Sequence, residues 1–331
     1  MPSIYFFVPE AEDVEFLRGL DPDVDWKLMK RGSQRWVVQT YARLRAAGLD
    51  CELGSRVPRT GIVVFHNGHK NELRRQLAHG ADVTLAGIRG DRREALIADF
   101  EILQNGLYAD GRTRFFVPYW PQPGLIARDP ARGDRITRAA FKGFDNNLHP
   151  ALHSGEWADF LRMRGVEWVT DSMSHAESEN IGVAVGWHDY REIDLIVALR
   201  PDASDQHSGK PATKLYNAWL AGVPALLGPE FAYRELRRSE LDYLEIAGVQ
   251  DAKAALLLLL DRPALYRAMI ENGIVRARDF TVEAITKRWV ALLTETIPAL
   301  AAGRRKHRYM PYLLRNGWRR LQRGIARRPS R

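Results

Sequence analysis

One cysteine, Cys51, in 331 residues rules out an internal disulfide and leaves a thiolate zinc site without ligands. That usage suits a reducing compartment. Long apolar runs are also missing: the longest, residues 254–260, falls far short of the roughly 20 residues a membrane-spanning helix needs. No export signal is expected, because a short β-like run at residues 4–8 leads into acidic residues. Carboxylates do not cluster, so no tightly bound metal or cofactor is expected. The last absence is local. Residues 304–331 contain eleven Lys or Arg and no Asp or Glu, so of the net charge of +8 the first 303 residues carry −3. A slightly acidic body with a basic appendage argues against a general nucleic-acid-binding face, and no nucleic acid is expected as a partner.

What is present is globular. Hydrophobic residues make up 45% and charged residues 27%, enough apolar surface for a substantial core, and the length suits two domains. Short β-branched or aromatic runs alternate with helical stretches: strands at 4–8, 61–65, 83–85 and 114–117, helices at 36–47 and 72–78. Such alternation predicts a mostly parallel sheet with helices on both faces. A proline-rich segment, 118–130, breaks the pattern, and a strand at 136–141 restarts it, which places a domain boundary near 130. The second half repeats the scheme, with strands at 167–169, 195–199 and 224–227 and helices at 156–164, 214–221, 252–260, 263–272 and 282–296. The expected division is 1–130, 131–303 and a tail at 304–331.

The most informative stretch is GKPATKLYNAWLAGVPALLGPE, residues 209–230, which follows the run DLIVALR. It reads strand, loop, helix, turn, strand. Thr213 is placed to cap the helix, whose first N–H groups and positive dipole end suit a phosphate. Lys210 and Lys214 add side-chain charge there. Gly222 and Pro224 end the helix, and the next short strand carries Glu230 to the C-terminal sheet edge, where open α/β sheets bind ligands. The bland alternative is an ordinary helix with two solvated lysines.

This stretch resembles the donor-binding segment of GT-B glycosyltransferases, with a pattern close to K-x-x-x-K-L-x-N-A-x-x-A-G-V-P matched at Lys210, Lys214, Leu215, Asn217, Ala218, Ala221, Gly222, Val223 and Pro224. The resemblance implies two Rossmann-like domains facing each other across a cleft, and a nucleotide-diphosphate sugar as co-substrate. It implies further that the basic residues face the diphosphate and that Glu230 binds the ribose. Arg31-Gly32-Ser33-Gln34-Arg35, before the first long helix, is similar to the family's Gly-rich acceptor-side loop. Phe141-Lys142-Gly143 matches its turn lining the donor cleft, with Lys142 in reach of phosphate. The chain departs from many retaining members, which carry two glutamates with seven residues between them. Eight positions before Glu230 stands Gly222, and eight before Asn217 stands Gly209. Retention or inversion stays open.

Two residues compete for the catalytic base. His66, after the apolar run 61–65, is expected at a strand's C-terminal edge, where a neutral imidazole accepts a hydroxyl proton; the alternative is a loop histidine satisfying a turn. Asp91 holds the equivalent position after 83–85, with Asp99, Glu101 and Asn105 nearby. Arg200 ends its strand toward the donor side. Trp187-His188-Asp189-Tyr190, before that strand, reads as structural or beside a nucleobase.

In the tail, Met310, Leu313, Leu314, Trp318, Leu321 and Ile325 form an apolar stripe among arginines. Such a helix suits an anionic membrane surface, or packs back on the body. The sequence therefore points to a cytoplasmic glycosyltransferase, peripheral on the inner face of the membrane, acting on a glycan or lipid-linked acceptor. The alternatives are a GT-B phosphorylase or epimerase, or a catalytically silent nucleotide-sugar-binding protein.

Overall fold

The computed structural model describes residues 2–9, 13–29, 32–78, 81–90, 92–174, 186–201 and 209–303. Asp91, the Ser33 side chain and the basic tail, 304–331, lie outside the described residues.

Two wholly parallel sheets organise the chain, as the alternating pattern predicts. The first contains β1 (Ile4–Phe7), β2 (Cys51–Gly54), β3 (Thr60–His66), β4 (Asp82–Ile88), β5 (Phe100–Leu103) and β6 (Arg114–Phe116), in the order β2-β1-β3-β4-β5-β6. The second contains β7 (Arg138–Phe144), β8 (Glu167–Met173), β9 (Leu195–Ala198), β10 (Ala225–Leu227) and β11 (Leu244–Glu245), in the order β11-β10-β9-β7-β8. Both orders reverse direction once, between β1 and β3 and between β7 and β9. That reversal opens a crevice at the strands' C-terminal ends, the usual ligand position in such sheets.

Strands covered on both faces read as continuous apolar runs, and β3 and β4 each bury their last five residues. β2, β5 and β11 are strands the sequence pattern does not predict. The helix expected from residue 36 begins at Gly32 and runs to Ala46. The helix Thr213–Ala221 ends as expected: Gly222 adopts φ +67°, and its N–H and that of Val223 return to carbonyls of the last turn, including Ala218 O.

Each sheet has its own core. Phe6, Val38, Leu53, Val64 and Ile102 belong to the first; Phe141, Leu195, Val197, Leu215 and Leu226 belong to the second. The chain's closing helices, Val282–Ala291 and Ile297–Gly303 with a π-turn Leu292–Thr296 between them, return to the first core. Ile285, Trp289, Leu293 and Ile297 pack there beside Val37 and Trp26. Cys51 is buried in the same core, and that burial pushes its thiol up to about 11, so it packs as an unreactive apolar group.

The proline-rich linker is docked along the second domain. Tyr216 Oη donates to Tyr119 O at 2.9 Å, Gln122 N–H to Asn217 Oδ1 at 3.0 Å, and Arg128 N–H to Ala221 O at 2.9 Å. Its end is fixed by Asp194, wholly buried, which accepts from Arg128 Nε at 3.0 Å and Arg132 Nη2 at 2.7 Å. Asp194 also accepts from the backbone N–H groups of Thr137 and Arg138 at 2.8 and 2.9 Å.

Candidate functional site

A cleft of about 820 Å³ lies between the two sheets' C-terminal edges. One wall of it belongs to the second domain. Lys214, in the first turn of Thr213–Ala221, holds its Nζ 5.1 Å from the centre of the Phe141 ring. Burial pushes this ammonium down to about 7, Arg200 and Lys210 push the same way, and Glu230 opposes them. Its room comes from Gly143, where a Cβ would lie 2.7 Å from Lys214 Nζ. Gly143 has φ +157°, where a side chain strains the backbone, so Gly143→Ala is expected to cost stability as well as to displace the ammonium. Thermal melting should fall, and titration of the folded variant with a nucleotide diphosphate should show affinity down by about tenfold, the loss of one charge-assisted contact.

The structure brings Lys142, Gly143, Arg200, Lys210, Thr213, Lys214 and Asn217 together on the cleft, as the sequence expects of the donor site. Three of them are held in ways the sequence does not anticipate. Thr213 is the first helical residue, with Ala212 at the cap position and no side-chain cap bond; no β-region backbone is left at Thr213 for its hydroxyl to cap from. Asn217 spends its Oδ1 on the linker at Gln122. Lys142 is bound to Asp171 Oδ2 at 2.5 Å and to Gly186 O at 2.6 Å, which commits its charge within the protein.

Glu230 is not among the cleft-lining residues. It stands behind Arg200, its Oε1 3.1 Å from Arg200 Nε, while Arg200 Nη1 donates to Asn147 Oδ1. Burial raises the Glu230 pKa against the pull of Arg200 and Lys214. The carboxylate thus orients the arginine.

The first-domain wall is built from the end of β3 and the start of Gly32–Ala46. Gly32, Arg35, Trp36, Gln39, His66 and His69 line it, with Tyr119 from the linker. His66 is buried, and its Nδ1 accepts from Gly68 N–H at 3.3 Å. That bond leaves the neutral ring's proton on Nε2, so the general-base role expected of His66 requires giving up the Gly68 contact. Gly90 packs against the same ring, since a Cβ there would meet His66 Nε2 at 2.6 Å.

Several lining residues have no sequence signal of their own: Trp36, Gln39, Arg92, Tyr119 and Tyr233. Trp187 and Tyr190, read as structural or base-adjacent, line the cleft as well, and Trp187 packs against the first core. His149 and His153 stand four residues apart, a metal-binding spacing on a helix. Here His149 Nδ1 instead accepts from Ala151 N–H at 3.2 Å at the start of a single 3-10 turn.

No family model and no curated protein sequence matches the chain. Among solved structures it is similar to Anabaena HepE in complex with UDP and glucose, with a TM-score of 0.55 at 10% identity, covering 89% of this chain and 100% of that one. It is similar also to a sucrose-phosphate synthase from Thermosynechococcus elongatus, with a TM-score of 0.50 at 13% identity over 72% of this chain and 74% of the other. TarM has a TM-score of 0.48 at 10% identity over 71% of this chain, which spans about half of TarM's length, 55%. At these identities the likeness is one of fold: two Rossmann-like domains across a cleft, the GT-B architecture the sequence resembles.

Proposed function

We propose that this chain transfers a glycosyl group from a nucleotide-diphosphate sugar to an acceptor hydroxyl. The observation that carries the reading is the cation cluster at the second sheet's switch point: Lys214, Arg200 and Lys210 beside the free N–H groups opening Thr213–Ala221. As the acceptor oxygen bonds to the anomeric carbon, the bond from that carbon to the diphosphate breaks and negative charge gathers on the leaving phosphate. Fixed positive groups in a cleft that restricts water stabilise that charge. HepE, of the same fold, was crystallised with UDP and glucose, so uridine is the first base to test.

A thermal-shift screen against UDP, GDP, CMP, TDP and their sugars tests the donor site. Stabilisation by one nucleotide family, absent from Lys214→Ala, supports it; no shift with any nucleotide overturns it. A second reading, a silent nucleotide-sugar binder, is favoured by one observation: among the described residues no Asp or Glu lines the cleft to serve as base. Product analysis with donor and candidate acceptors separates the two.

The finer reading is a peripheral enzyme on the cytoplasmic face of a membrane, in assembly of surface glycans or lipid-linked sugars. No helix among the described residues is long and apolar enough to cross a membrane. The support is the composition of 304–331, whose basic residues each add about 1 kcal/mol near an anionic surface. The full chain is expected to co-sediment with phosphatidylserine vesicles and a chain ending at 303 to remain in the supernatant. Equal sedimentation of both would remove the membrane role.

A further inference from the structure

The cleft holds more positive charge than one diphosphate requires. Asp and Glu outnumber Lys and Arg in residues 1–303, where the net charge is −3. Yet the described cleft lining contains six Lys or Arg and no Asp or Glu. Lys214, Arg200 and Lys210 belong to the donor cluster, and Lys142 is held by Asp171. Arg35 Nε is bonded to Met29 O at 3.0 Å, so the surplus is carried by Arg92, on the first-domain wall.

That wall is continuous. Arg92 Nε lies 3.7 Å from the Cβ position of Gly68, and the His66 and His69 rings are 6.0 Å apart. Gly32, at the start of the 15-residue helix Gly32–Ala46, lines the same wall, and the helix has no acidic residue in its first turn to occupy its positive end. Gln39, 1% exposed, faces the cleft as well. Its Oε1 accepts from Tyr119 Oη at 3.2 Å, and its Nε2 has no hydrogen-bond partner among the described residues. An unpaired buried donor in a cleft waits for an acceptor atom.

The loops bearing these groups are fastened from below. Glu101 Oε1, 2% exposed on β5, accepts from Asn67 Nδ2 at 3.0 Å and from Ala95 N–H at 2.8 Å. One carboxylate thereby ties the loop that follows His66 to the loop that carries Arg92. The positive wall is held in place before any ligand arrives.

Resting on the glycosyltransferase reading, we infer that the acceptor is itself anionic: a sugar bearing a phosphate or carboxylate close to the hydroxyl that reacts. Arg92 is its chief recognition residue, with His69, Gln39 Nε2 and the helix start beside it. A guanidinium pairs with either anion through two parallel hydrogen bonds. Trp36 and Tyr119, packed against each other with ring centres 3.9 Å apart, supply apolar surface to the same wall.

The test is calorimetric titration of the full chain, saturated with UDP, with glucose 6-phosphate, glucuronate and glucose. At least one charged sugar is expected to bind about tenfold or more tightly than glucose, with the advantage shrinking at high salt. The two charged arms tell phosphate from carboxylate. Arg92→Ala should remove the advantage and Arg92→Lys restore part of it, with UDP affinity unchanged in both. Equal affinity for all three sugars overturns the inference. So does an advantage that survives Arg92→Ala and vanishes in Lys214→Ala, because the anion then occupies the donor site. If UDP does not bind, the donor reading fails by itself, and the same titrations on the free protein still decide the anion preference.

Discussion

Lys214→Met is expected to lower transfer by about 10²- to 10³-fold, the range seen when one fixed donor to a developing negative charge is removed. The substitution keeps the length of the side chain and its contact with Phe141 while deleting the charge, so thermal stability should hold or rise. The same residue predicts a pH dependence. In the empty cleft its ammonium is pushed down to about 7, by burial first and then by Arg200 and Lys210. A bound diphosphate favours the charged form and raises that value. Affinity for a nucleotide sugar is therefore full below about pH 7 and falls as pH rises above it, by up to about tenfold per unit, until the raised pKa of the complex is reached. At about pH 8 binding should take up a proton, visible as a dependence of calorimetric heat on the buffer's ionisation enthalpy. The methionine variant should lose both the slope and the uptake; a wild-type affinity flat across neutrality would dissociate Lys214 from the anion.

Asp194→Asn is expected to destabilise the protein by about 3–5 kcal/mol, because it leaves the buried Arg128 and the half-buried Arg132 without their carboxylate. Burial alone would raise the Asp194 pKa, but hydrogen bonds from Arg132, the Thr137 N–H and Arg128 outweigh it and hold the group at about 2. A carboxyl lowered in the folded state stabilises above its unfolded value of about 3.9 and loses that contribution as pH falls toward about 2. Urea melts at neutral pH should show the full loss, and the variant should lack this part of the acid destabilisation. An unchanged midpoint would mean that the linker's end is held by its other contacts.

The fold was legible where burial is uniform. β3 and β4 run apolar to their ends, and the helix after β9 carries its own stop in Gly222 and Pro224. β5 was not, because Glu101 sits in the middle of Phe-Glu-Ile-Leu as a buried carboxylate serving two loops, and a charge there defeats a pattern based on hydrophobicity. β2 is too short and its exposed Glu52 too polar to mark a strand between two glycines. The first turn of Gly32–Ala46 lacks apolar residues apart from its glycine, which moved the expected start to residue 36.

The donor segment was legible as a list of residues and much less as a set of roles. Lys214 and Arg200 meet as expected. Asn217 and Glu230 match the family pattern and yet serve the linker and the arginine, since a motif records a side chain's position along a helix or strand and is silent about which distant segment reaches it. The first-domain wall was least visible. Arg35 and Gln39 on one helix, Arg92 and Tyr119 come from three separate places in the chain, and only the parallel crossovers that align strand ends bring them to one surface.

The return of Val282–Gly303 to the first core sets the order in which the molecule is completed. During synthesis the first domain emerges early but lacks Ile285, Trp289, Leu293 and Ile297, and the apolar groove they fill stays open until residues 282–303 leave the ribosome. The amino-terminal half must wait, partly uncovered, while the second domain folds, and the helices of 282–303 then seal it. Premature termination anywhere before residue 282 thus leaves both halves of the protein compromised, one missing sequence and the other missing its cover.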